Sequence, residues 1–565
     1  MLELLIVWSI ILFESIVIGC ATEHGLIRLA YGRDFELGGE EADPCKIFTV
    51  IMLGIVVLNT LAQGLCIFFK IGIIVEIGLL LLTILLFYVF SKKIKSLINN
   101  FKVSPQFLCY MILILFIFLI ISARSTCVGD TYGYHAQTVR WIEEYGTVKG
   151  IANIHMRLGY NSAVHALNAL FSFKEIASHS IRSINGYLGL IACVYASYHL
   201  TQFKNRKNYL SASLAILMIL YIMLNRNAWA DIANSFYSIV WVLLIALVWL
   251  RMIEEGKEKG YFLLPFFVTY IITVKFNQAP LMLLILWILY KEISKRNYRR
   301  LYVWLAGCLM IGGIWGVRNI FVSGYLIYPM PEIDIFQLDW KVPIEVARDD
   351  KAWIYSYART RLMGLDSSIG VGLFWMEKWV EILFEENPII AMIVLGTPIC
   401  IVIVVLNLRK NVDYIVYLIV FGTAYIVWLV TAPLPRFGWA WILIWYSLAL
   451  GLSMKRILRD ELFDKYILNV MFISSLVLLG ACIKIGDLQN NLLIQADYNK
   501  YEYQNICLNT NILVYYPVKD GISDGNAGYW TFPATNNSAT LVNLEARGSD
   551  IRDGFRTNYK ICNFK

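Results

Sequence analysis

Residues 129–146 read GDTYGYHAQTVRWIEEYG, a run of polar and aromatic residues set between two strongly apolar segments, FLCYMILILFIFLIIS at 107–122 and INGYLGLIACVYASYHL at 184–200. The contrast between this stretch and its surroundings decides the fold. The chain has 565 residues, of which 58% are apolar, 14% aromatic and only 16% charged, and its mean hydropathy of +0.61 lies far from that of a soluble domain. Such a composition predicts an integral membrane protein. Backbone groups in lipid must pair internally, so its crossing segments are helices of about 20 residues. The formal net charge is +8, but in a membrane chain the placement of Lys and Arg matters more than their sum, and a nucleic-acid partner is not expected.

Outward from this stretch, hydropathy predicts about fourteen spans, at 2–18, 47–69, 71–90, 107–122, 184–200, 209–224, 235–250, 261–274, 279–290, 301–317, 388–406, 413–430, 439–454 and 466–483. Several fall short of a straight crossing, which predicts tilted or broken helices. The first apolar stretch carries Glu3 and Glu14 and lacks a basic start, so it does not read as a cleavable leader. Basic residues collect in alternate short loops: Lys92, Lys93, Lys95 and Lys102; Lys204, Arg206 and Lys207; Arg251, Lys257 and Lys259; Lys291 to Arg300; Arg409 and Lys410; Lys455 to Lys465. The positive-inside rule makes that side cytoplasmic. Segments 123–183, 318–387 and 484–565 then face outward. The predicted organisation is N-terminal helices over 1–106, a core with two large external loops over 107–483, and an external cap over 484–565.

These loops lack Ser/Gly/Pro low complexity and are dense in aromatic and charged residues, so they are expected to be ordered. The tail holds a strand-like run, ILVYYPV, and a turn-rich one, DGISDGNAG. About 80 residues make a marginal core alone, so the tail is expected to pack on the external face as a lid. Of eleven cysteines only Cys127, Cys507 and Cys562 are plainly external. That location permits a Cys507–Cys562 disulfide without requiring it. No Cys/His spacing suggests a metal, and no cofactor is expected.

From Tyr134 the opening stretch has helical periodicity, with Tyr134, Thr138, Trp141, Ile142 and Tyr145 on one face, Gln137, Arg140 and Glu144 on the other, and Gly146 as a stop. This suits an amphipathic helix lying in the membrane interface. Asp130 precedes it and either caps the helix or serves as a general base at the water–lipid boundary. His135, His155, His165 and His179 share the loop, at spacings that match no zinc pattern. Arg157, Tyr160 and Asn161 are candidates for binding phosphate or sugar. Lys275, between two short spans, is a charge near membrane depth, where ionisable groups are costly and point to function; snorkelling to the interface is the plainer account. Arg318 and Asn319 begin the second external loop, and Arg436 lies in a short external turn. Cations at outer bilayer ends run against the positive-inside bias and call for an anionic partner, which a phosphodiester would supply.

With these residues in place, the chain resembles the GT-C superfamily of integral membrane glycosyltransferases. In that family the first external loop of the core follows a spanning helix directly, carries an essential Asp and continues as interfacial helices; GDTYGYHAQ matches in position and character, with Asp130 as the equivalent acid. The pieces VRNIFVSGYLIYP, APLPRFGW, GYWTFPATN and LEARGSDIRDGF also resemble segments of bacterial members, and the resemblance covers roughly 123–175, 310–362, 430–440 and 525–556. It implies an all-α, GT-C-like bundle that transfers a sugar, hexosyl or pentosyl, from a polyprenyl-phosphate donor to a glycan or glycolipid acceptor. Transfer would take place at the outer face of the cytoplasmic membrane, with inversion at the anomeric carbon. Asp130 would be the base, Lys275, Arg318 or Arg436 would stabilise the departing lipid phosphate, and Tyr134, His135, Arg157, Tyr160, Asn161 and Asn319 would contact substrate. The first loop departs from the family in having no DxD or Asp-Glu pair, and three extra spans precede the core. A flippase or transporter for lipid-linked glycans, or a glycan polymerase, would also want cations and aromatics facing a lipid phosphate. Transporters, however, concentrate charge within broken helices and often show inverted repeats, whereas here the polar residues fill large loops and no repeat is evident.

Overall fold

The computed structural model describes residues 1–32, 43–126, 128–256, 258–361, 375–408, 411–457, 460–485, 488–519, 522–523, 525–536 and 541–558. Cys127 and Cys562, and with Cys562 the proposed pairing to Cys507, lie outside them. The chain is predominantly α-helical, and each of the fourteen predicted segments coincides with helix over most of its length. Among the described residues ten helices are long and apolar enough to cross a membrane, the make-up of a multi-pass membrane protein. The segments predicted at 184–200, 209–224, 261–274 and 279–290 form helices that miss that threshold. The helices Ile184–Thr201 and Leu264–Val274 are buried along nearly their whole length, sheathed by neighbouring helices.

The first two helices, Leu2–Tyr31 and Lys46–Leu65, pack at backbone contact. A methyl group on Gly19 would sit 2.0 Å from the Val50 carbonyl oxygen, and one on Gly54 would sit 1.9 Å from that of Ser15. Small residues at a helix seam allow this close approach where lipid offers no hydrophobic drive for association.

The bundle has two chemically distinct ends. At one, Arg206 and Arg251 converge on Asp43 and Glu255, Lys291 pairs with Asp413, and Arg300 pairs with Glu292. At the other end lie the segments after the helices Pro105–Ser122 and Tyr298–Ser323, together with the tail. The tail forms two small antiparallel sheets, β1 (Tyr503–Cys507), β2 (Leu513–Lys519) and β3 (Ile522–Ser523), then β4 (Leu544–Ala546) and β5 (Phe555–Thr557). It shares a second core with the loops: Trp141, Ile151, Leu158, Val322 and Tyr325 pack with Val514, Leu544 and Phe555. Apolar residues from three separated segments thus supply a core that none could build alone.

The opening stretch differs from its predicted form in two ways. Its helix begins earlier, with a π-helical turn over Thr131–His135 that runs into the α-helix Ala136–Glu144. Its polar face is also covered rather than open to the interface. Gln137 is buried, donates to the carbonyls of Gly528 and Thr531, and accepts from the Ala534 amide. Arg140 donates to the carbonyls of Tyr529 and Trp530. Glu143 accepts hydrogen bonds from Ser180 and Tyr529. The amphipathic pattern stands, but most of the polar face meets protein instead of water or lipid headgroups, with Glu144 left partly open. Gly146 does stop the helix: its φ of +78° is left-handed, and a side chain there would strike the Phe69 and Cys66 carbonyl oxygens.

Candidate functional site: a cationic, aromatic cavity around Asp130

Asp130 sits at the entrance to the π-helical turn. A π turn carries one extra residue, leaves its flanking side chains off the regular helical register, and recurs at functional sites. Asp231, from the segment joining two core helices, fixes this one. Its buried carboxylate accepts from the hydroxyls of Thr126 and Thr131, on either side of Asp130, and from the amides of Ile232 and Ala233. Asp130 makes no side-chain hydrogen bond to the turn it heads, so it does not cap. Its carboxylate instead lies 3.2 Å from the Arg436 guanidinium.

Arg436 is the second residue of the helix Pro435–Ile457. A cation at a helix N-terminus opposes the macrodipole and is tolerated where an anion compensates it. The turn before it is held by two indoles, Trp379 donating to the Pro433 carbonyl and Trp428 to that of Leu434, each at 2.9 Å. Lys275 comes from a third place, a break in the path of the bundle: the helix Leu264–Val274 stops, Lys275 is extended, and a 3-10 turn over Phe276–Leu281 follows. Non-helical backbone at such depth persists where protein satisfies it or a cavity receives it. Here Ser162 donates to the Val274 carbonyl at 2.6 Å and the Ala163 amide to that of Thr273 at 3.1 Å. Lys275 Nζ donates to Ser235 Oγ at 2.8 Å and lies 4.0 Å from the centre of the Phe437 ring. Burial, then the neighbouring Arg436, pushes its pKa down to about 7, with Asp130 pulling the other way.

Asp130, Lys275 and Arg436 line one cavity of about 400 Å³, together with Tyr134, Arg157 and Tyr160. The Arg157 guanidinium lies 4.9 Å from the Trp353 ring and 5.8 Å from that of Tyr134, and among the described residues it has no carboxylate ion-pair partner. Trp315, Tyr328, Trp353 and Tyr357 complete a wall rich in aromatic faces. The lining therefore carries three cations against the single carboxylate of Asp130, a field suited to an anion beside an apolar or sugar-like body.

Four predicted site residues do not belong to this cavity. Arg318 is only 2% exposed and turns to the Thr147 hydroxyl, so of the three cations expected to face a lipid phosphate Lys275 and Arg436 line the cavity and Arg318 does not. Asn161 donates to Asn319 at 2.7 Å, and Asn319 donates to the Leu326 carbonyl, a buried amide pair that ties the first loop to the helix Tyr298–Ser323. His135 is buried against His165, Nδ1 to Nε2 at 2.9 Å. Burial, then Lys275, Arg157 and Arg436, pushes its pKa down to about 3, so it stays neutral and is a poor proton acceptor. Glu143 and Glu144, the other acids of the stretch, are held by the tail and by Lys174 and Arg140, away from the cavity.

Two buried acids carry no signal in the sequence, Asp231 behind the turn and Asp350. Asp350, on the helix Ile344–Thr360, accepts from the Tyr160 hydroxyl at 3.0 Å and lies behind the cavity wall. Desolvation raises its pKa to about 6 against the pull of Tyr160 and Arg157. Its proton is held more tightly in the folded chain than in the unfolded one, so its contribution to stability is full below about pH 4 and is lost as pH rises through 6. Asp350→Asn is therefore expected to stabilise the purified protein at pH 8, by up to about 2–3 kcal/mol for a shift of this size and visible as a higher unfolding temperature, and to give roughly half that gain at pH 5, inside the titration window. A gain at pH 5 as large as that at pH 8 would contradict this assignment.

Fold and site together define a multi-pass helical bundle with an anion-receptive, aromatic cavity built around one carboxylate at one end. The chain belongs to the family described as Domain of unknown function (DUF8201), which it matches over residues 1–443, a span that includes Asp130, Lys275 and Arg436 and leaves out the tail. No curated protein and no solved structure matches it.

Proposed function

We propose that the protein is an inverting GT-C-type glycosyltransferase that moves a sugar from a polyprenyl-phosphate donor to a glycan or glycolipid acceptor, in cell-surface glycan or glycolipid synthesis. In this reading the cavity faces outward from the cytoplasmic membrane, because the basic clusters at the opposite end of the bundle obey the positive-inside rule. The observation that carries the proposal is the Asp130–Arg436 contact at 3.2 Å with Lys275 in the same lining, a carboxylate and two cations on one cavity, which supports a base beside two phosphate-binding groups. The acceptor hydroxyl oxygen bonds to the anomeric carbon as its proton passes to Asp130. The bond from that carbon to the phosphate oxygen breaks, its electron pair leaving with the polyprenyl phosphate. Arg436 and Lys275 stabilise the charge that develops on the leaving group, while the aromatic wall and Arg157 hold the sugar and its bridge.

A carrier for the same lipid is the second reading, favoured by the helix break at Lys275, a device that transporters place at their sites. One assay separates the two. Purified protein in proteoliposomes is given a radiolabelled polyprenyl-phosphate-sugar panel with a membrane-derived acceptor fraction, and free polyprenyl phosphate and leaflet position are both measured. Transferase action is expected to release polyprenyl phosphate with label appearing in the acceptor. Leaflet exchange of intact donor without release would replace the transferase with the carrier.

A further inference from the structure

Two acids are enclosed within the bundle itself. Glu14 lies midway along the helix Leu2–Tyr31, and Glu76 lies in the first turn of the helix Ile73–Asn100. The two helices pack side by side, with the ring centres of Phe13 and Phe87 5.7 Å apart. Glu14 is 0% and Glu76 2% exposed. Along the first half of its helix Glu76 shares the buried stripe with Leu79 and Thr83 alone, at the spacing i, i+3 and i+7 that makes one face. On a helix whose other faces are largely open to lipid, this acid is therefore turned inward.

None of the four carboxylate oxygens has a hydrogen-bond partner. The nearby hydroxyls are engaged elsewhere: Ser15 with Tyr187 at 3.2 Å and with the Leu12 carbonyl, and Thr83 with the Leu79 carbonyl at 2.8 Å. The charged group that acts on Glu76 is Glu14, and among the described residues no cation acts on either acid. An ionised carboxylate buried without counter-charge or donor carries a heavy desolvation penalty, and a second one within electrostatic reach adds repulsion. Taking up a proton relieves both. Ionisable side chains enclosed at membrane depth are rare and mark functional positions.

We propose that Glu14 and Glu76 form a proton-binding site within the membrane, two carboxylic acids that each hold a proton in the folded chain. A proton suits the pair better than a metal ion, which needs a shell of several oxygens, because among the described residues no third His, Cys, Asp or Glu joins them. The site is separate from the cavity around Asp130 and does not depend on the proposed transferase activity.

The full chain, purified in detergent at pH 7, is compared with Glu14→Gln, Glu76→Gln and the double variant by infrared difference spectroscopy. Wild type minus double variant is expected to show the C=O stretch of protonated carboxyl groups, shifted in heavy water, and each single variant to lose part of it. Absence of that band overturns the proposal, because both acids would then be ionised. A second arm needs only the wild-type chain, so it decides the matter even if the double variant does not fold. Dicyclohexylcarbodiimide, an apolar reagent that adds to a protonated carboxyl, is expected to modify Glu14 and Glu76 well ahead of Glu381, as located by mass spectrometry. Glu381 is 56% exposed, and an exposed Glu is protonated in only about one molecule in 500 at pH 7. Modification of Glu381 as fast as that of the buried pair overturns the proposal. Both arms are run in sodium chloride and in choline chloride: suppression of the band and of the labelling by sodium at fixed pH would replace the proton with a sodium ion.

Discussion

Asp130→Asn is expected to abolish sugar transfer while leaving the protein folded and able to bind donor. The substitution preserves shape and removes the capacity to accept a proton, which on the proposed transferase reading would forfeit the roughly 10²- to 10⁴-fold that general-base catalysis contributes. The structural loss is small, because Asp130 makes no capping hydrogen bond and its contact with Arg436 is a partly exposed ion pair, 29% and 50% accessible. Such pairs contribute about 0–1 kcal/mol. Donor binding should hold or tighten, since the change leaves three cations in the lining and no carboxylate. Turnover by the purified Asn variant above about a tenth of wild type would fall well inside the expected loss and would remove Asp130 from the role. No other acid of the opening stretch could then take its place, because Glu143 and Glu144 are held elsewhere.

Arg436→Gln is expected to lower turnover by roughly 10²- to 10³-fold, the loss seen when one preorganised donor to a developing anion is removed. Its signature differs from that of Asp130→Asn. The loss should appear in kcat, because charge on the bridging phosphate oxygen grows only as the bond to the sugar breaks, and an interaction made chiefly in the transition state leaves KM little changed. Arg436→Lys should recover part of the rate, since it restores the charge without the fork of parallel donors. In the double variant with Asp130→Asn the two effects should fall short of their sum, as expected of groups in contact. A variant with unchanged kcat and a raised KM would show that Arg436 serves binding alone.

Part of the cavity's lining was legible in the sequence, on one physical basis. Asp130, Lys275 and Arg436 each stand at the end of an apolar helix, where a charge is expensive unless something answers it. The residues read wrongly were judged by type and position without knowledge of where the side chain turns. Arg318 shares the apolar-end signal, yet it faces inward to Thr147. Asn161 and Asn319 were singled out as polar residues in or at the start of external loops, but their amides pair with each other. Asp350 gave no signal because it sits in ARDDKAW, among other charges on a helix with one solvent-facing side; only burial sets it apart from Asp349. Asp231 escaped for a similar reason, as its environment is made by threonines 100 and 105 positions earlier in the chain. The helix carrying the opening stretch was found by its period, but what covered its polar face depended on a tail nearly 400 positions away.

That last pairing bears on the order in which the site is completed during synthesis. Residues 129–146 leave the ribosome well before residues 528–534, which supply the carbonyls reached by Gln137 and Arg140, the amide that Gln137 accepts from, the Tyr529 hydroxyl on Glu143, and the Gly528 amide on the Tyr132 carbonyl. Until residues 528–534 have been made, the Gln137 amide stands without these partners, whereas Asp231 already holds the turn and Ser180 and Glu144 already engage Glu143 and Arg140. The residues that line the cavity, Asp130 to Phe437, all precede that segment. The late-made stretch thus closes the back of a helix whose front already faces the cavity.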